Sequence, residues 1–151
     1  MKTYLVTGVA GFIPSAIART LIKAGHRVVG IDNFATGYKS NIPPEATFFE
    51  VDVSKTEQLK VLNDFTFDAV FHLAAQSSGE MSFYDPPKDL LSNTLGTLNM
   101  LEYCKEQKIP RFLYASSMAV YGDTPDTPIS ILQSPHPKSY YGISKLAGEY
   151  Y

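Results

Sequence analysis

Tyr141 and Lys145, in the run Tyr141-Gly142-Ile143-Ser144-Lys145, lie one helical turn apart, so a helix there carries a phenol and an ammonium on one face. A tyrosine phenol ordinarily titrates at about 10 and is a poor base at neutral pH, but a neighbouring cation favours its phenolate. The pair is therefore a candidate for moving a proton. Ser117 lies in the segment from Arg111 to Gly122, a predicted strand running into a loop. At the carboxyl edge of a parallel sheet, where such folds bind ligands, its hydroxyl can orient a substrate oxygen for Tyr141. Either feature alone is common in unrelated chains, so the weight lies in what accompanies them.

The accompaniment is a phosphate-binding turn. Gly8-Val9-Ala10-Gly11 follows a predicted strand and precedes a predicted helix, the context in which spaced glycines carry information. The first glycine permits a tight turn, and the second lets backbone N–H groups approach a pyrophosphate at the positive end of a helix. Asp32 closes the second predicted strand, where a carboxylate accepts hydrogen bonds from an adenosine ribose. Its neighbours are Asn33 and Phe34, with no arginine to receive a 2′-phosphate, so the site reads as one for NAD rather than NADP.

These residues need a parallel sheet to hold them. Short β-branched runs alternate with helical-period segments, the pattern of repeated βαβ units. Strands are predicted at Tyr4–Thr7, Arg27–Ile31, Thr47–Val51, Ala69–Leu73 and Arg111–Ala115. Between the first two, Phe12, Ile13, Ala16, Ile17, Leu21 and Ile22 recur at helical spacing, and Gly25 supplies the stop. Ser54-Lys55-Thr56-Glu57 has the capping-box pattern for a helix after the third strand. Pro86 and Pro87 mark the entry to a longer helix carrying Leu90, Leu91, Leu95, Leu98, Leu101 and Tyr103. The stretch from Tyr121 to Pro137 reads as a loop, and a last helix opens near Ser139 or Tyr140. The expected fold is α/β, a doubly wound parallel sheet with helices on both faces, in one domain spanning residues 1–151.

Composition narrows the function classes. The chain has 151 residues, 44% hydrophobic and 19% charged, with a net charge of -2, enough apolar material for one core and no broad cationic face for nucleic acid. The single cysteine, Cys104, has no partner for an internal disulfide, which fits a reducing compartment and a cytoplasmic location. The apolar run at the N-terminus is broken by Gly8 and Gly11 and is better read as strand and turn than as a leader. No stretch approaches the roughly 18 apolar residues of a membrane span. His72, between Phe71 and Leu73, reads as a strand residue, and His26 and His136 give no metal-ligand spacing.

Taken together, TGVAGFI, GIDNFATG, Asp52-Val53, HLAAQ, NTLGTLN, ASSMAVYG and YYGISK resemble the extended short-chain dehydrogenases/reductases of the NAD-dependent epimerase/dehydratase family along the whole chain. The resemblance implies a Rossmann-type fold, NAD as cofactor and a Ser117–Tyr141–Lys145 triad. It also implies that Gly8, Gly11, Phe12 and Ile13 form the pyrophosphate turn, with Asp32 and Asn33 at the ribose. Asp52 and Val53 would flank adenine, Leu73, Ala74 and Ala75 would line the cofactor, and Asn93 would face it. Ser77 is a candidate substrate contact beside Ser117. One departure stands out: the family loop TGxxGFIGS keeps a third glycine where this chain has Pro14. Proline is tolerated in a first helical turn, but its bulk is expected to weaken NAD binding.

The family resemblance limits the chemistry to a transient oxidation by bound NAD. Dehydratases of this kind carry an Asp-Glu pair after the serine, and the decarboxylases keep a glutamate; here stand Met118 and Ala119, neither of which can move a proton. A 4-epimerase needs only the tyrosine to take the sugar hydroxyl proton. The expected parent activity is therefore a UDP-hexose 4-epimerase acting on a nucleotide-sugar. The alternatives are another epimerase or reductase of the family, or an NAD-binding module without turnover. The chain is expected to stop before the part that holds the sugar nucleotide, and to have little activity alone. A homodimer through helices near 88–107 and 140–151 is a further expectation from the family.

Overall fold

The computed structural model describes residues 1–124 and 128–151; residues 125–127, inside the expected loop, lie outside the described residues. Five parallel strands, β1 (Thr3–Thr7), β2 (Arg27–Asp32), β3 (Thr47–Glu50), β4 (Ala69–His72) and β5 (Phe112–Tyr114), pair in the order β3-β2-β1-β4-β5. In register, Leu5 lies between Val29 and Val70. Alternate residues of the central strands feed opposite faces. Leu5, Val29, Ile31 and Val70 join one buried cluster with Leu62, Met100 and Cys104, while Val6 and Val28 join another with Val9 and Ala18. Burial on both faces explains why these strands read as continuous apolar runs.

Helix α1 (Phe12–Lys23) covers the second cluster. It ends as its sequence indicates: Gly25 takes φ +79, its N–H reaches the Ile22 carbonyl, and the His26 N–H reaches that of Leu21. The segment after β3 differs from expectation. Thr56–Leu62 is a 3-10 helix, and its N-cap Lys55 makes no side-chain cap. Ser54 fails to cap because its N–H and hydroxyl both bond the Asp52 carboxylate, folding the chain into a local turn first.

The connection from β4 to β5 is more broken than its leucine pattern suggests. A short helix α2 (Gly79–Tyr84), capped by Ser78, precedes α3 (Pro86–Asp89), capped by Asp85. The helix then widens into a π-helical turn, Leu90–Leu95, before continuing as α4 (Gly96–Glu106). Leu90 and Leu91 point outward, while Met100, Tyr103 and Cys104 reach the core. The last helix, α5 (Tyr140–Tyr150), starts at Ser139, whose hydroxyl accepts from the Gly142 N–H. No helix among the described residues is long and apolar enough to cross a membrane.

Candidate active site and cofactor cleft

Strand order reverses at β1, with β2 and β3 on one side and β4 and β5 on the other. Crevices at such a point, outside the carboxyl ends of the strands, are where open α/β sheets take ligands. Gly8 sits at the end of β1 with φ +72, and an added Cβ would stand 3.0 Å from both the Cα and the N of Ala74. The turn thus needs glycine twice, for its dihedral and for its approach to the chain leaving β4. Its N–H and that of Val9 bond the Ile31 carbonyl, while Gly11 N–H bonds back to Gly8. Gly11 then serves as the N-cap of α1 without any side-chain cap.

The open end of α1 fits a pyrophosphate. Phe12 and Ile13 are exposed, and their first-turn N–H groups stand outside the intrahelical ladder. Ser15 N–H bonds the Gly11 carbonyl, and Pro14, third in the helix and buried, has no N–H to give. Its ring lies under the turn, with Cγ 3.1 Å from where a Gly11 Cβ would be. Asp32 ends β2, and its two carboxylate oxygens accept from Ala10 N–H at 3.0 Å and Phe34 N–H at 2.7 Å. It therefore braces the glycine turn and holds Phe34 at φ 56, and each oxygen keeps a lone pair for a further donor. Asn33 is exposed and accepts from Ala35 N–H. Asp52 is half-buried, whereas Val53 is buried against Gly96 with its carbonyl bonded by Asn99.

Beside the glycine turn, Leu73, Ala74 and Ala75 are half-buried and Ser77 is exposed. The Leu73 and Ala74 N–H groups both bond Thr7 Oγ1, filling its lone pairs, so the Thr7 proton must go to His72 Nδ1, 2.9 Å away. His72 Nε2 then carries the ring hydrogen and donates to Thr97 Oγ1 at 3.2 Å, and Thr97 donates to the Asn93 carbonyl. Burial and the nearby Lys145 push His72 down to about 3, so it stays neutral as a connector. As expected, His72 is a strand residue, the last of β4.

Helix α5, which carries Tyr141 and Lys145, is placed by glycines. A Cβ on Gly142 would fall 2.5 Å from the Ala119 carbonyl oxygen, and one on Gly148 would fall 2.4 Å from the Tyr114 hydroxyl. These close approaches seat α5 on the 3-10 turn Met118–Val120 and on β5, which brings Tyr141 to the loop that holds Ser117. Ser117 is half-buried and accepts from Ala119 N–H at 3.2 Å. Lys145 is buried, donates to the Ala115 carbonyl at 2.9 Å, and lies 6.0 Å from the Tyr141 ring centroid. Burial lowers its pKa to about 8, against an opposing pull from Asp89.

Asn93 is placed differently from the cofactor-facing position expected. It is wholly buried, with its Nδ2 near the Gln76 carbonyl, Asp89 Oδ1 and Ser144 Oγ, and its Oδ1 accepting from Gln76 N–H. Sequence reasoning gave no role to Gln76, Thr97 or Ser144, which stand within the motifs it used, and passed over Asp89. None has a local pattern, because each matters through a partner far along the chain. The glycines of α5 were the one readable signal, since a helix interior seldom spends two without a packing reason.

Residues 4–151 match the model of the NAD dependent epimerase/dehydratase family. A putative UDP-glucose 4-epimerase of Methanocaldococcus jannaschii is 39% identical over 148 residues, covering 97% of this chain and 48% of the relative. The UDP-glucose 4-epimerase of Streptomyces lividans is 34% identical over 146 residues, covering 95% of this chain and 44% of its own. Among solved structures, the Thermotoga maritima UDP-glucose 4-epimerase with UDP-glucose superposes with a TM-score of 0.95 at 34% identity, covering 99% of this chain and 49% of that one. The Thermus thermophilus UDP-glucose 4-epimerase complex with NAD gives 0.94 at 39%, with 99% and 49% covered. The chain thus spans about half the length of the relatives it matches. Its matched residues, its sheet order and its glycine turn agree, and the chain belongs to the NAD dependent epimerase/dehydratase family.

Proposed function

We propose that residues 1–151 form the NAD-binding, reacting domain of a nucleotide-sugar epimerase, with UDP-hexose 4-epimerisation as its reaction. The observation that carries this reading is the placement of Tyr141 and Lys145 on α5, against the Ser117 loop and on the same sheet edge as the glycine turn. Relatives described as UDP-glucose 4-epimerases, and solved neighbours holding UDP-glucose or NAD, support it.

In this reading Phe12 and Ile13 N–H groups hold the pyrophosphate, and the Asp32 oxygens take the ribose hydroxyls, with Asn33 alongside. Asp52, Val53 and Leu73–Ala75 enclose the remainder. NAD, when bound, supplies a reversible hydride acceptor for the sugar C4. Tyr141 takes the proton of the 4-hydroxyl, Ser117 orients that oxygen, and Lys145 holds positive charge near the phenol. Ser77, exposed beside this edge, is placed to touch the sugar nucleotide. Asn93 supports the site from behind. The exposed Leu90, Leu91, Tyr140 and Ile143 suit a second copy packed across these helices, as the family resemblance implies. The buried Cys104 accords with a cytoplasmic setting.

Calorimetric titration with NAD, followed by separation of products from UDP-galactose and UDP-N-acetylgalactosamine, tests the proposal. The chain is expected to bind NAD and to convert little sugar, and Tyr141→Phe is expected to bind NAD equally and to remove whatever conversion is seen. Absence of NAD binding by the folded chain overturns the reading. Pro14 favours a second reading, an NAD-binding module with little turnover, because it removes one donor from α1 and adds a ring beneath the turn. Pro14→Gly is expected to tighten NAD binding roughly fivefold, about 1 kcal/mol, and equal affinities would dismiss that role for Pro14.

A further inference from the structure

Asp89 and Lys145 are both almost fully buried, at 1% and 3% exposure, yet the one salt bridge among the described residues joins Lys105 to Glu102 on the surface. A buried carboxylate or ammonium is costly without compensation. A chain of contacts runs from Asp89 to the residue that precedes Lys145, while Lys145 Nζ itself donates to the Ala115 carbonyl. Asp89 Oδ1 accepts from Gln76 Nε2 at 2.9 Å and from Asn93 Nδ2 at 3.1 Å, and that same Nδ2 approaches Ser144 Oγ at 3.1 Å. Ser144 directly precedes Lys145.

No other ionisable group around Lys145 is a buried carboxylate. From β4 comes His72, kept neutral. From β5 comes Tyr114, 5.0 Å from Nζ, its phenol pushed up to about 12 chiefly by burial. From α5 itself come Tyr141 and Glu149, the latter exposed and bonded to Ser116. That leaves α3. We infer that Asp89 is the buried counter-charge of Lys145 and a positioning residue for the reactive helix, acting through Asn93 and Ser144. The inference rests on reading Lys145 as part of the reacting pair, but its test needs neither sugar nor cofactor.

Asp89→Asn keeps an oxygen for Gln76 and Asn93 and removes only the charge. In chain labelled with 13C at the lysine ε-carbon, the Lys145 resonance is identified by its loss in Lys145→Arg, and its titration is followed by NMR. In Asp89→Asn the Lys145 midpoint is expected to fall by roughly one unit. An unchanged or higher midpoint in the folded variant overturns the inference. If Asp89→Asn does not fold, Asp89→Asn with Lys145→Met decides instead. Removing both charges is expected to restore the folding equilibrium roughly tenfold or more over the single variant, and no gain overturns the counter-charge. Either result leaves the epimerase proposal to its own assay, so the two stand or fall separately.

Discussion

The two ends of the proposed cleft are built in opposite ways. At the glycine turn, contiguous backbone makes the site: Gly8 and Gly11 shape it, and Asp32 braces it through N–H groups. At α5, groups from four separate segments meet: Gln76, Asp89 with Asn93, the Ala115 carbonyl at the strand end, and Ser144 with Lys145. The first is a local device that tolerates change nearby but not within. The second is a buried polar network, whose members depend on one another and whose failure is shared.

The sharpest way to break the contrast is Asn93→Leu. It takes donors from the Gln76 carbonyl and from Asp89 and leaves the Gln76 N–H only Ser92 Oγ, and is expected to cost about 3 kcal/mol in urea unfolding. A loss under about 0.5 kcal/mol would show that the network is not the support described. Gly8→Ala should cost less, about 2 kcal/mol, from its positive φ and the crowding at Ala74. It should nevertheless abolish NAD binding in a chain that stays folded, and a variant binding NAD normally would contradict the backbone origin of that site.

The smallest effect joins the two ends, since His72 connects Thr7 to Thr97. Unfolded, its imidazole takes a proton near 6.5; folded, it refuses one until about 3. The unfolded chain therefore binds the extra proton between these values, and stability is present above 6.5 and lost as the pH falls toward 3. This contributes a slope of about 1.4 kcal/mol per pH unit. From pH 6.5 to 5.5 the loss amounts to about 1 kcal/mol, and urea titrations of wild type and His72→Gln across that unit measure it; identical pH dependence would show that His72 does not contribute.

The same contrast explains what the sequence disclosed. β1, Gly8, Gly11 and the stop at Gly25 were readable because each carries a local pattern of strand, turn or helix end, and Asp32 because it closes the strand that follows the glycine turn, although it braces Ala10 from 22 residues away. Tyr141, Lys145 and Ser117 were readable as a spaced pattern, supported by the resemblance. Asp89 and Gln76 were not, because a polar residue in a helix or loop looks solvated until its partner arrives from elsewhere. The capping box after β3 failed for a related reason: Asp52 claimed the hydroxyl of Ser54 first. Likewise, Leu90 and Leu91 look like core residues by type, and only the π-helical turn shows that they face outward.

That turn works as a store of slack. A π-helical turn spreads about one revolution over one residue more than its α-helical equivalent, so the helix before and after it keeps nearly the facing that a plain α-helix one residue shorter would have. Deleting Leu91 is therefore expected to close the turn as α with Asp89 still on the side of Asn93. The same deletion within α4, where each residue advances the chain by about 100°, would instead turn the core face of Met100 and Cys104 away from the sheet. A residue can be lost from the wide turn more cheaply than from the regular helix beside it.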